Sequence, residues 1–375
     1  MLYLAIDLHQ DQITINLRNE QGKVVQKEQV STDHNKINEF FAGIVKQSKR
    51  THGYMVILEV CGFHEWLVEK LHEFGCKEIV LVQPDNSSNK KTDRRDANSL
   101  GELLWNNRFH ILNGERPNGL RRIYQPDSND CDIRQLAGLR SHLVQLRTKC
   151  INKIRGLLRK YNKIQDAPSN DFKTKKVRKW LETVELPPVD RFEVDIQLQN
   201  WKTYDEQILK TEGELIKRGE SNPKVYQLVS VPGISHLGAM TLLSRINDIN
   251  RFKTPDSLAN YFGLTPGCRN SGKSTQKIGG ITKAGSSTAR NVLNFAMPQL
   301  IRNDPQMKTW HGKIKRRKGA KTARVAVMRK LTTIIWHMLK WNQPYQFHYE
   351  QPNHTVFEKP KRSLSGRKRP QVLKA

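Results

Sequence analysis

Leu2-Tyr3-Leu4-Ala5-Ile6-Asp7-Leu8-His9 and Gly53-Tyr54-Met55-Val56-Ile57-Leu58-Glu59-Val60-Cys61-Gly62 decide the fold of the first third of the chain. Both are short apolar runs of the kind that forms buried strands, and each is interrupted by one acid. A carboxylate in a buried strand costs several kcal/mol unless a cation or a hydrogen bond meets it. Asp7 and Glu59 occupy matching places in their runs, so both need the same explanation. Outward from these runs, ITINLRN alternates as a second strand, and KVVQKEQVST follows the turn at Gly22 as a third. A helix capped at Ser31 or Asp33 carries Ile37, Phe40, Phe41, Ile44 and Val45 at helical spacing. Helices over His64 to Phe74 and Asp93 to Trp105 flank a further strand, EIVLVQP. The order βββαβαβα predicts a mixed sheet with helices packed on it.

Asp93 and Asp96 stand three apart at the start of their helix, in KTDRRDAN, and share one face. Acids there also suit the helix dipole. If the Asp7 and Glu59 strands are neighbours and this helix crosses their ends, four carboxylates converge. Such an all-oxygen set suits Mg²⁺ or Mn²⁺ acting at a phosphodiester.

Charge divides the chain. Among 375 residues, 64 Lys+Arg and 36 Asp+Glu leave a formal charge of +28, yet residues 1–110 carry a net −1 and the remainder +29. A polyanionic partner gripped by the basic remainder is the expectation. Nine basic residues and no acid fall between Lys313 and Lys330. The tail from residue 352 to 375 adds Lys359, Lys361, Arg362, Arg367, Lys368, Arg369 and Lys374, and is expected to be a disordered arm binding phosphate. No apolar run approaches a membrane span, and MLYLAIDLHQ has no signal-peptide pattern, so an intracellular protein is expected. The five cysteines, Cys61, Cys76, Cys131, Cys150 and Cys268, form no CxxC pair and are expected as reduced structural thiols.

From Asp132 the texture becomes helical. Leu136, Leu139, Leu143, Leu146, Cys150, Ile154, Leu157 and Tyr161 form a heptad-like stripe on a long basic helix. A second long helix carries Trp201, Tyr204, Ile208 and Leu215, and is expected to pair antiparallel with the first through a shared core. Between them, residues 163–190 hold Pro168, Pro187 and Pro188 with many charges and suggest a loop or insertion. VSVPGISHLGAMTLLSRI has the helix–PG–turn–helix form of a helix-hairpin-helix, in which backbone N–H groups face a phosphate, although a tight connection without ligand has the same signature. Further helices are expected over Ser257 to Phe262, Ser287 to Leu300 and Ala320 to Lys340.

Residues 263–285 are rich in glycine, hydroxyls and cations and contain no acid. A serine among Arg269, Lys273, Lys277 and Lys283 is placed for chemistry at a phosphate, because positive charge stabilises both alkoxide and phosphorane. A DNA-contact loop without a covalent role would look the same. The Gly-Lys-Ser at 272–274 is not a P-loop, since no strand–loop–helix surrounds it.

Here the chain resembles the DEDD insertion-sequence transposases, the one-hundred-and-ten family of bacterial mobile elements. AIDLH, ILEVCGFHEWL, KTDRRDAN, NKIRGLLRK, LVSVPGISHLGAMTLLSRI, FKTPDSLANYFGLTPG, NSGKSTQKIGGITKAGSSTARNVL and VAVMRKLTTIIWHMLKWNQPY carry the resemblance in the family's order, to about Tyr345. It implies a RuvC-like domain of ribonuclease-H fold over 1–112 and a helical coiled-coil linker over 130–220 with an insertion near 163–190. It also implies a mostly helical transposase domain over 221–347. Carried over by motif, the metal-binding acids are Asp7, Glu59, Asp93 and Asp96, with Mg²⁺ as cofactor and Mn²⁺ as substitute, and the catalytic serine is Ser271. The family's paired hydroxyls are replaced by Asn-Ser-Gly-Lys-Ser. Counting back from Ile281 and Lys283 selects Ser271, with Ser274 as the fallback.

The implied activity is DNA recombination through a phosphoserine intermediate, directed by a non-coding bridge RNA to donor and target DNA. The implied assembly is a dimer or tetramer in which the acids of one subunit meet the serine of another. A cytoplasmic, nucleoid-associated bacterial protein without membrane contact is expected. Arg269, Lys273, Lys277, Lys283, Arg290, Lys315, Arg316, Arg317 and Lys318 are the candidate nucleic-acid contacts. The rival reading is a metal-dependent DNA nuclease or junction resolvase in which Ser271 is only a contact. A non-enzymatic architectural binder is a third, and leaves Asp7 and Glu59 unexplained.

Overall fold

The computed structural model describes residues 1–83, 93–115, 117–269 and 277–346, which divide into two compact units, Met1–Gln125 and Pro126 onward. The first is built on a five-stranded sheet. Strands β1 (Leu2–Leu8), β2 (Gln12–Arg18) and β3 (Val24–Ser31) form an antiparallel meander, followed by α1 (His34–Ser48), β4 (Tyr54–Glu59), α2 (Glu65–Glu73), β5 (Glu78–Val82) and α3 (Asp93–Leu112). The order is β3-β2-β1-β4-β5, with β1, β4 and β5 mutually parallel. Alternation sorts the side chains of β1. Leu4 and Ile6 pack with Phe41 of α1 and Leu67 of α2 on one face, while Tyr3 and Ala5 join Met55, Ile57, Val80 and the α3 residues Leu100 and Leu104 on the other. Burial on both faces is why β1 and β4 are almost continuously apolar. Asp33 is the cap of α1, its carboxylate accepting from the Asn35 and Lys36 N–H groups. Helix α3 continues two turns beyond the expected Trp105.

The second unit begins with α4 (Ser128–Lys160), a 3-10 turn (Lys163–Asp166), α5 (Lys175–Thr183) and α6 (Pro188–Gly219). The ion pairs Arg140–Glu212, Arg147–Asp205 and Lys153–Glu193 step along α4 and α6 in opposite directions, so the two helices are antiparallel as expected. Two readings of this region are corrected. Residues 163–190 are not a loop: Phe172, Val177, Leu181 and Val184 are buried with Cys150, Ile154, Val194 and Trp201 in one core. Pro188 stands in the first turn of α6, where a missing N–H costs nothing, so it opens a helix here. Leu139 is 48% exposed and does not belong to the buried stripe. The N-terminal half of α4 packs on α8 as well as α6, which turns the buried face toward Ile133 and Ala137.

The remainder is α7 (Pro223–Val229), α8 (His236–Ile246), a 3-10 turn (Ile249–Arg251), α9 (Pro255–Tyr261), β6 (Pro266–Arg269), β7 (Lys277–Ile281), α10 (Ser287–Asn303) and α11 (Pro305–Trp341). They enclose one large core that includes Leu228, Leu242, Phe262, Leu293, Leu331 and Ile335. Two helices joined by a short turn stand where the helix-hairpin-helix was expected, in α7 and α8. Gly233 in its turn has φ +95° and lies against α10, where a side chain would come within 2.7 Å of the Ala296 carbonyl. Ser235 caps α8 by accepting from the Gly238 N–H. Among the described residues no helix is long and apolar enough to cross a membrane. Cys61, Cys76, Cys131 and Cys150 are free thiols, and burial pushes Cys76 up to about 12.

Candidate active site and nucleic-acid interface

In the first unit the sheet register brings two acids together. Ile6 of β1 lies opposite Leu58 of β4, so Asp7 and Glu59 fall on the next rung of adjacent parallel strands. By alternation both are on the α3 face, continuing Tyr3–Ala5 and Met55–Ile57. The Asp7 side chain is 15% exposed, and its Oδ2 lies 3.1 Å from Nε2 of His9. Across the sheet Asp7 pairs with Thr14 of β2.

The path of α3 is set by β2. The Asn98 Oδ1 accepts from the Asn16 side chain at 3.1 Å and from Arg18 at 3.1 Å. Glu102 follows one turn on, 3.3 Å from Arg18, and Trp105 lies over Gly22. The helix therefore runs along β2 from the Thr14 end toward Gly22. Its first turn, with Asp93 and Asp96, stands at the edge where β1 and β4 end. The helix N-terminus favours carboxylates there. Gly101 permits the close approach, since a side chain would meet Asn16 Oδ1 at 2.8 Å. Asp96 is half-buried, and the Asp93 side chain lies outside the described residues. Among the described residues no three His, Cys, Asp or Glu side chains form a metal-holding group. The structure thus pairs Asp7 with Glu59 and puts Asp93 and Asp96 on the adjoining helical turn.

Arg18 holds this arrangement. Buried at 8% exposure, it donates to the Asn16 side chain, the Gly22 carbonyl, Asn98 and Glu102. Arg18→Met leaves Asn16 Oδ1 and the Gly22 carbonyl short of a donor. It is expected to lower the unfolding free energy by about 2–4 kcal/mol. Urea denaturation of the full chain measures this, and an unchanged midpoint would remove Arg18 as the tie between α3 and the sheet.

In the second unit the serine-rich segment lies between two strands. Strands β6 and β7 pair antiparallel with Cys268 opposite Ile278 and Arg269 opposite Lys277. Ser271, Lys273 and Ser274 fall in residues 270–276, outside the described residues, as do the side chains of Arg269 and Lys277. These two strands were not expected within the mostly helical domain: the glycines at 267, 279 and 280 dilute the strand signal, leaving Cys268, Ile278 and Ile281 as its apolar trace. A strand–loop–strand hairpin is not the strand–loop–helix of a P-loop.

The base of the hairpin is tightly fixed. A side chain at Gly285 would meet the Tyr261 carbonyl at 2.2 Å, so the returning chain lies directly on the end of α9. Arg290 of α10 donates from one nitrogen to the carbonyls of Phe262 (3.1 Å) and Gly285 (2.9 Å), clasping both sides of the base. Sequence reasoning saw Arg290 as a nucleic-acid contact and missed this role. Lys283 is exposed, with φ +55°.

Lys315, Arg316, Arg317 and Lys318 are all exposed on α11, and the tail after residue 346 lies outside the described residues. A kink at Gly319 (φ 82°, ψ 165°) divides α11 into the helix expected from Ala320 and a preceding helix from Pro305 that was not expected. From residue 311 to 322 no side chain is buried, so about three turns of helix present cations around their circumference.

Comparison with known proteins gives this architecture its class. The DEDD transposase model of the IS110 type matches residues 4–163, spanning the acid-bearing sheet, α3 and α4, and the model described as transposase IS116/IS110/IS902 family matches residues 225–312, spanning the hairpin. The chain is 27% identical over 300 residues to the transposase for insertion sequence element IS1111A of Coxiella burnetii, covering 78% of this chain and 79% of that one. It is 23% identical over 303 residues to a probable family 20 transposase of Pseudomonas aeruginosa, covering 78% and 86%. A pilin gene-inverting protein of Moraxella bovis is 32% identical over 130 residues, covering 34% and 40%. The class is a DNA transposase of insertion sequences. The chain belongs to the IS110 family of these enzymes, both of whose models it matches in order.

Proposed function

We propose that this transposase cuts and rejoins DNA through a phosphoserine formed on Ser271, assisted by the acids at the strand ends and guided by a non-coding RNA. The observation that carries the reading is the placement of Asp7 and Glu59 on one rung beneath the start of α3. The strand order β3-β2-β1-β4-β5 supports a ribonuclease-H-like, RuvC-type domain over 1–112. Residues 130–220 act as the helical linker and 221–347 as the serine-bearing domain. Carboxylate oxygens of Asp7, Glu59, Asp93 and Asp96 suit a hard divalent cation, Mg²⁺ or Mn²⁺. When bound, that ion supplies charge stabilisation at the phosphate and its leaving oxygen.

Ser271 falls in the sequence between the paired strand residues Arg269 and Lys277. As its Oγ forms a bond to phosphorus and loses its proton, the bond to the leaving DNA oxygen breaks, and that oxygen takes a proton to become a free hydroxyl end. Reversal with a different hydroxyl end rejoins the strands. Arg269, Lys273 and Lys283 offset charge on the phosphorane, and Lys277 with Lys315 to Lys318 grips backbone phosphates. Arg290 contributes by holding the hairpin base. Assembly as a dimer or tetramer supplies two or more such serines to a pair of DNA segments.

Purified protein with its co-purifying RNA, labelled donor and target DNA and Mg²⁺ tests the scheme. Cleavage is expected to stop with chelator, return with Mn²⁺, and disappear after ribonuclease treatment. Cleavage that survives ribonuclease would remove the guide. Free 5′-phosphate ends, together with an active Ser271→Ala protein, would show the acids hydrolysing DNA directly.

A further inference from the structure

Arg245, in the last turn of α8, is a cation with no counterpart. Its Nε is buried without a hydrogen-bond partner, and no described residue forms an ion pair with it. Burial depresses its pKa first, and the neighbouring guanidinium of Arg134 depresses it further, with only the phenol of Tyr261 acting the other way. Arg134 is itself held in place, donating from its Nε to the Ser244 carbonyl at 2.6 Å. Arg251 completes the group, its guanidinium 5.0 Å from the Tyr261 ring centre and 4.9 Å from that of Phe252. Trp336 secures this corner by donating to the Phe252 carbonyl at 2.9 Å.

Among the described residues no acid forms an ion pair with Arg245. Asp130 attracts Arg134 and accepts from Asn247, and Asp256 is paired with Arg329 at 2.8 Å. A basic residue in the last turn of a helix often serves the dipole by bonding the final carbonyls. Arg245 makes no such bond. Arg245, partly desolvated, with its Nε unpartnered and a second guanidinium beside it, is a cation that a bound anion would stabilise. Tyr261, at the centre of the group, is also the residue whose carbonyl lies against Gly285 at the hairpin base.

We infer that Arg245, with Arg134 and Arg251 around Tyr261, is a binding site for a phosphodiester group of the DNA strand that enters the serine hairpin. A planar guanidinium with a free edge presents two parallel donors to phosphate oxygens, which an ammonium does not. The inference rests on DNA being the substrate and is independent of the identity of the nucleophile.

The test compares full-length wild-type protein with Arg245→Met and Arg245→Lys in DNA and RNA binding across a salt series. Arg245→Met is expected to weaken duplex DNA binding roughly tenfold and to reduce the slope of log affinity against log salt by about one. Arg245→Lys is expected to fall between. The melting temperature of Arg245→Met should equal or exceed that of wild type, because an uncompensated charge gives way to an apolar chain of similar length. The binding comparison needs no cleavage, so failure of the serine scheme is read separately in the wild-type protein. An unchanged slope would overturn the site, as would a melting temperature that falls along with binding. A slope change with RNA and none with DNA would overturn the assignment to DNA.

Discussion

Asp7→Asn and Glu59→Gln are each expected to lower DNA strand cleavage by roughly a thousandfold or more while leaving RNA binding and the fold intact. The substitutions keep the shape of each side chain and remove its charge. Asp7 and Glu59 share a rung, so neutralising one relieves repulsion with the other. The sheet beneath them is held by Ile6, Leu58 and their neighbours, whose burial is untouched. The melting temperature should therefore stay level or rise, while catalysis collapses. Gel-based cleavage of labelled donor DNA, run beside a filter assay for RNA retention, separates the two roles. Loss of RNA binding in these variants would contradict the division between an acidic catalytic sheet and basic nucleic-acid surfaces.

Ser271→Ala should have the larger effect, abolishing recombination by about 10⁴-fold or more, since removing a serine nucleophile leaves only positioning and electrostatics. Ser274→Ala should retain activity within about tenfold. Both residues fall in the seven-residue stretch of sequence between β6 and β7, and the two variants differ in the hydroxyl removed. The base of the hairpin depends on other residues, Gly285 and Arg290, the latter bonding the Phe262 and Gly285 carbonyls. Duplex binding should be retained in both. A plasmid recombination assay reads the difference, and full activity of Ser271→Ala with loss in Ser274→Ala would move the nucleophile by three residues.

The sequence was most informative where a rule was broken. An acid in an apolar run marked Asp7 and Glu59, and the sheet register then put them side by side. The long antiparallel helices were legible from Trp201, Ile208 and Leu215, but Leu139 was not assignable, because a heptad stripe presumes one partner and α4 has two. Residues 163–190 concealed α5, since prolines and charges outweigh Val177 and Leu181 over nine residues. The hairpin was hidden by its glycines. Arg245 gave no signal at all: one basic residue in a helical last turn is ordinary, and its isolation depends on which side chains the fold brings near.

The account turns on a covalent bond between this protein and DNA. The most direct measurement is mass spectrometry of the denatured, nuclease-trimmed product formed by full-length protein, its RNA, donor and target DNA and Mg²⁺. The account predicts a nucleotide-phosphate adduct on the peptide spanning Arg269 to Lys283, localised to Ser271. Cleaved DNA with no adduct on any serine of that peptide would contradict it.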